Sequence, residues 1–141
     1  MLPIIAGVVF ACTPIAVWDG DGPIWCGEGP KVRLAGIAAR ELDGSCRPHH
    51  PCPSGGSGKA ARDYLVLLLG GPKGRLPDGH VRVSYASLRC TSDGSGKGGR
   101  TAAWCRTVDG RDLSCEMVRG GYALRWDQYD RQQKLCRRSK S

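Results

Sequence analysis

The run VWDGDGPIWC, Val17–Cys26, sets Asp19 and Asp21 one glycine apart between two apolar segments. Carboxylates at that spacing suit two different tasks. They can form the polar tip of a hairpin, because Asp-Gly tolerates the positive φ of a tight turn. They can also form the floor of a site for a hard cation, which takes carboxylate oxygens as ligands. A second segment with chemical potential is CRPHHPC, where His49 and His50 sit between Cys46 and Cys52. Adjacent histidines there are either metal ligands or the polar part of a short bracketed loop.

The elements that must position these groups can be read from pattern. Val8–Trp18 has β-branched character and is predicted as a strand, with Pro23–Cys26 as its partner across the Asp19–Gly22 turn. Lys31–Ile37 alternates and is a third strand. Ser57 caps a helix in which Leu65, Leu68 and Leu69 share a face, stopped by Gly70-Gly71. His80–Cys90 and Arg100–Val108 are predicted strands around a glycine-rich loop, Thr91–Gly99. A short helix follows over Arg111–Arg119, and an amphipathic helix over Asp127–Arg138. Three strands, a helix and two more strands give the expectation of an α+β chain: a five-stranded oligonucleotide-binding (OB-type) barrel with two to three helices, stapled by disulfides. A single domain is expected over 1–141, with loose ends at 1–7 and 137–141.

Eight cysteines, with no C-x-x-C pair, point to disulfides in an oxidising compartment rather than zinc. Neighbouring positions on the predicted elements pair as Cys12–Cys26, Cys46–Cys52, Cys90–Cys105 and Cys115–Cys136. The net charge is +8. The first thirty residues hold three acids and no Lys or Arg, so the remainder sets 21 bases against 10 acids. A basic body of that kind favours a polyanionic partner. The uncharged start, Met1–Trp18, is interrupted by Pro3 and Pro14 and suits a strand better than a membrane span. It lacks the basic beginning of a signal peptide, and VFAC is read as strand rather than as a lipoprotein cleavage site. A secreted or periplasmic monomer is expected. GGSGKAA is no phosphate loop, because Pro53 and Ala60 stand where glycine and Ser/Thr are required.

Four fragments in order, DGDG at 19–22, VRLAGIAARE at 32–41, GKGGRTAAW at 96–104 and DLSCEMVRGGYA at 112–123, resemble the staphylococcal-nuclease-like (thermonuclease) family. The resemblance runs from about Val8 to about Tyr129. It implies an OB-type barrel that hydrolyses phosphodiesters of DNA and RNA, usually with Ca²⁺. It also implies roles for individual residues. Arg33 and Arg100 would grip the scissile phosphate, Glu41 would orient or activate the attacking water, Asp21 would bind the metal and Asp19 would lie beside it. Arg40, Lys97, Trp126 and Tyr129 are candidate substrate contacts. For Lys97 the alternative is an ordinary exposed loop lysine, and for Trp126 and Tyr129 it is packing. The chemistry suits these types: guanidinium forks bind phosphate oxygens bidentately, and a carboxylate can take a proton from water.

The sequence departs from the family at the metal. Ala38 stands where the family carries a ligand aspartate, Arg40 where it carries proline, and Gly22 where it carries threonine. Arg40 could stand in for part of the cation's charge, and Asp43 is the nearest replacement carboxylate in sequence. Three functions therefore stay open: a nuclease, a nucleic-acid-binding barrel whose metal site was lost at Ala38, or an interaction module that uses the disulfide-stapled barrel for protein contacts.

Overall fold

The computed structural model of the chain describes residues 2–54 and 57–137. It is an α+β structure with nine strands and two α-helices among the described residues. The strands are β1 (Val9–Cys12), β2 (Pro14–Asp19), β3 (Gly22–Cys26), β4 (Lys31–Leu34), β5 (Ile37–Ala39), β6 (Val81–Arg82), β7 (Leu88–Ser95), β8 (Thr101–Arg106) and β9 (Ala123–Arg125). The helices are α1 (Gly58–Leu68) and α2 (Leu113–Arg119). Seven strands form one sheet in the order β1-β7-β8-β4-β3-β2-β6, while β5 and β9 form a separate pair. All neighbours are antiparallel except β4 and β8, which run parallel. The expected count of five strands is therefore corrected, and the sheet ends in two edges, β1 and β6, rather than closing.

The differences have local causes. The long first strand divides at Thr13, because Pro14 brings no N–H and the β2–β3 register shifts between Pro14 and Ala16. Thr13 instead turns to Glu28, which accepts from its N–H and its hydroxyl at 2.7 Å each. The third strand divides between Leu34 and Ile37, and the freed Ile37–Ala39 pairs with Ala123–Arg125, a strand too short to read from pattern. Thr91–Ser95 belongs to β7, not to a loop, because it pairs with Thr101–Trp104. Over the described part of the expected Asp127–Arg138 helix, up to residue 137, the one helical turn is a 3-10 turn at Asp127–Tyr129. There the buried Asp130 carboxylate accepts from Lys134 N (2.7 Å) and Leu135 N (3.1 Å), which holds an irregular path. At the start of the chain, Ile4 is tied down: its N–H donates to Thr101 Oγ1 and its carbonyl accepts from Ser92 Oγ. The end expected to be loose at 137–141 falls, beyond 137, outside the described residues.

One apolar cluster holds the sheet to both helices. Val17, Ile24, Val32, Leu34, Leu65, Leu69, Leu88, Leu113 and Met117 are fully buried within it. The helix starts match the sequence reading. Ser57 Oγ accepts from Ala60 N at 3.0 Å, Asp112 accepts from Cys115 N at 3.1 Å, and the α1 helix is followed by Gly70 and Gly71 at φ near 90°. All four disulfides join the expected partners and no described cysteine is free. Four bridges fit an oxidising environment. No helix among the described residues is long and apolar enough to cross a membrane.

Candidate functional site

The β2–β3 turn and strand β4 are pressed together at Gly22, whose φ is +109° and whose absent Cβ would lie 2.5 Å from Val32 O. Only glycine allows that approach. It brings Asp21 against Arg33, which alternation places on the outward side of β4 while Val32 and Leu34 face the core. Arg33 Nη2 donates to Asp21 Oδ2 (3.3 Å) and Ile37 O (3.1 Å), and Nη1 donates to Leu34 O (3.2 Å). Three of its five N–H groups are thus spent on fixing the fork, leaving two for an anion. Its guanidinium also lies 5.5 Å from the Trp126 ring centroid. Val32 pairs with Thr101 in the parallel register, so Arg100, just before β8, comes up beside the start of β4. Among the described residues Arg100 has no acidic partner.

Glu41 follows β5. Its backbone is held against the first residue of α1: a Cβ on Gly58 would sit 1.7 Å from Glu41 O. Its carboxylate pairs with Arg47 Nε at 3.0 Å. Arg47 comes from the loop closed by Cys46–Cys52, where His50 N donates to Arg47 O at 3.1 Å. The same loop lays the His50 ring 4.2 Å from Trp126, which in turn meets Tyr129 edge-on at 4.5 Å.

Two adjoining clefts result. The smaller, about 50 Å³, is lined by Asp19, Asp21, Arg33, Glu41, Arg47, His50 and Arg100, with Trp18 at its side. The larger, about 240 Å³, shares Arg33, Arg47, His50 and Arg100 and adds Lys97, Trp126 and Tyr129. The fold therefore gathers Asp19, Asp21, Arg33, Glu41, Lys97, Arg100, Trp126 and Tyr129 from distant points in the chain.

Arg40 is the exception among the residues singled out as substrate contacts. It lines neither cleft. Its Nη1 donates to Gly44 O (2.7 Å) and its Nη2 to Pro53 O (2.6 Å), so it straps the two flanks of the disulfide loop together; its buried Nε has no protein partner. Asp43 also stays away: its carboxylate is engaged by Ser45 N and Ser45 Oγ, bonds that hold it below the usual carboxylate range. Arg47 and His50 are the residues that sequence reasoning undervalued. The available signal was the short Cys46–Cys52 spacing, which forces whatever lies between into a compact turn.

The site's charge balance is uneven. Burial first, and the Asp21 carboxylate second, push Asp19 up to about 10. Burial first and the Arg33 charge second lower His50 from its ordinary value. A conventional calcium cage asks for six to eight oxygens, largely carboxylate. Here the Asp21 Oδ2 already accepts from Arg33 and from Ala39 N (3.3 Å), and Ala38, fully buried in the β5–β9 pair, brings no carboxylate. Among the described residues no three His, Cys, Asp or Glu side chains group as metal ligands. The donor set is short of a protein-built calcium site.

No family model matches the chain, and no curated protein is significantly similar to it.

Proposed function

We propose that this double cleft binds nucleic-acid phosphodiesters and hydrolyses them. The observation that carries the reading is the convergence of Arg33, Arg47, Arg100 and Lys97 with a carboxylate, Glu41, and an aromatic pair, Trp126 and Tyr129, on one surface. A phosphate between the arginines meets fixed guanidinium donors, which favour the charge that gathers on its oxygens in the transition state. Glu41 is the group able to take a proton from water at that phosphate, with Arg47 holding the carboxylate in place. Trp126 and Tyr129 offer ring faces and edges to a base.

The OB-type barrel and the thermonuclease resemblance belong to this reading. Strand order β2-β3-β4-β8-β7 with a parallel β4–β8 pair supports it, as does the one-residue link at Thr13 between β1 and β2, which stand at opposite sides of the sheet order. Such barrels hold oligonucleotides on one face. Secretion and a monomeric state are part of the same proposal.

A second reading, a binder without catalysis, is favoured by one observation: the buried Ala38 occupies the position of a ligand aspartate. Plasmid DNA and a structured RNA incubated with Ca²⁺, with Mn²⁺ and with EDTA separate the two. Cleavage lost in Glu41→Gln but with oligonucleotide affinity retained supports the nuclease. Salt-sensitive binding with no cleavage under any condition leaves the binder.

A further inference from the structure

The smaller cleft holds Asp19, Asp21 and Glu41 but no carboxylate at Ala38, and positive charge surrounds them. The extra charge comes from one segment, the loop at residues 42–53, and that loop is built to present it. Three devices hold it. The Cys46–Cys52 bridge closes a six-residue separation. Arg40 straps Gly44 to Pro53 from beneath. The turn bond from His50 N to Arg47 O faces both side chains into the clefts, with His49 in the left-handed region at φ 66°. The His50 ring also meets Trp126 at a tilt, with centroids 4.2 Å apart. Arg47, still largely exposed, and the half-buried His50 thereby line the same clefts as Arg33 and Arg100.

We propose that Arg47 and His50 take the cation's part in this site, so that phosphodiester cleavage proceeds without a divalent metal, with His50 as the proton donor to the leaving oxygen. The inference rests on the nuclease reading and extends it. The step balances as follows. Water attacks phosphorus and gives a proton to the Glu41 carboxylate. An oxygen–phosphorus bond forms, the bond from phosphorus to the leaving oxygen breaks, and that oxygen takes the proton of the His50 imidazolium. Glu41 and His50 then return to their starting forms by exchange with solvent. Arg47 holds Glu41 and, with Arg33 and Arg100, lies where charge accumulates on the phosphate oxygens.

The groups facing His50 set its behaviour. Arg33 from β4 and Arg47 from its own loop, with burial, disfavour its charged form, while Asp21 and Glu41 favour it. Arg100, Lys97 and the acid Asp93 line the larger cleft with it, and a bound phosphate would add negative charge there. Cleavage in EDTA should therefore rise toward acid pH.

The decisive experiment compares wild type with His50→Gln, Arg47→Ala and the control His49→Gln, in EDTA and in Ca²⁺. Two substrates are used: an oligonucleotide, and a p-nitrophenyl phosphodiester, whose leaving group needs no proton. The expected result is cleavage by wild type in EDTA. His50→Gln should lose about 10²-fold or more on the oligonucleotide. It should lose no more than a few-fold on the p-nitrophenyl ester, and the acid-side rise should vanish. His49→Gln should match wild type. Arg47→Ala should lose activity on both substrates, since it acts through Glu41 and the phosphate rather than through the leaving group. Cleavage that appears only with Ca²⁺ and is indifferent to His50→Gln overturns the inference and leaves the nuclease reading standing. Equal losses on both substrates in His50→Gln overturn its role as proton donor. No cleavage of either substrate under any ion overturns the nuclease reading, and this inference with it.

Discussion

The two walls of the cleft present the same chemistry by different physical means. On one wall Arg33 and Arg100 stand at the β4–β8 junction, where parallel strand register determines their separation and Asp21, Ile37 and Leu34 fix the Arg33 fork. On the other, Arg47 and His50 stand on a loop with no regular structure, held by a disulfide, by Arg40 and by the tilted contact of His50 with Trp126. The first wall is as stable as the core beneath it. The second is only as stable as its three clamps. Positioned charge thus does not require a rigid element under it, provided the loop's backbone carbonyls and side chains are themselves engaged.

The largest effect should come from the strand wall. Arg33→Ala removes fixed phosphate donors and leaves Asp21 without its partner, so cleavage should fall about 10²–10³-fold. Arg33→Lys should not restore it, because a lysine cannot reproduce the fork; kcat/KM on an oligonucleotide reads both. Retained activity in Arg33→Lys would show that the fork geometry is not used.

Next comes the seam between the walls. Gly58→Ala would drive a methyl into Glu41 O, so either α1 or Glu41 must move. A loss of about 1–3 kcal/mol in urea unfolding is expected, together with a loss of cleavage larger than stability alone explains. Unchanged stability would mean that the α1 start yields freely.

The loop wall should break separately. The double variant Cys46→Ala, Cys52→Ala removes a short-loop constraint worth about 2 kcal/mol. It should weaken oligonucleotide binding while leaving the β-sheet signal of circular dichroism intact. If Arg40 alone held the loop, binding would not change. Lys97→Ala should have a smaller consequence, lowering the slope of log affinity against log salt by about one with no change in base preference.

The smallest expected effect is the pH dependence of stability that His50 contributes. Its folded-state pKa is lowered, so the folded protein resists protonation that the unfolded chain accepts. The contribution is absent above the ordinary histidine value of 6.5, and stability declines as pH falls below it until the folded group also protonates. Denaturant midpoints measured from pH 7.5 to 5 on wild type and His50→Gln should differ only at the acid end.

Local rules written into the chain were sufficient for much of this. The Ser57 cap, the Gly70-Gly71 stop and the β2–β3 hairpin follow from propensities and turn chemistry that act over a few residues. The cysteine partners followed because each pair sits on elements adjacent in sequence. Arg33, Glu41 and Arg100 were marked by the resemblance to the thermonuclease family, and all three line one cleft. What lay beyond the sequence was decided by contacts between distant segments. Ile37–Ala39 became a separate strand only because Ala123–Arg125 was there to pair with it. The C-terminal segment left its helical pattern because the buried Asp130 carboxylate took up nearby backbone N–H groups. Arg40, on sequence a cation beside the site, became a strut because Gly44 O and Pro53 O were the oxygens within its reach, while Arg47 and His50 were carried into the cleft in its place. A side chain's type states which bonds it can make; only the packed chain decides which partners are close enough to make them.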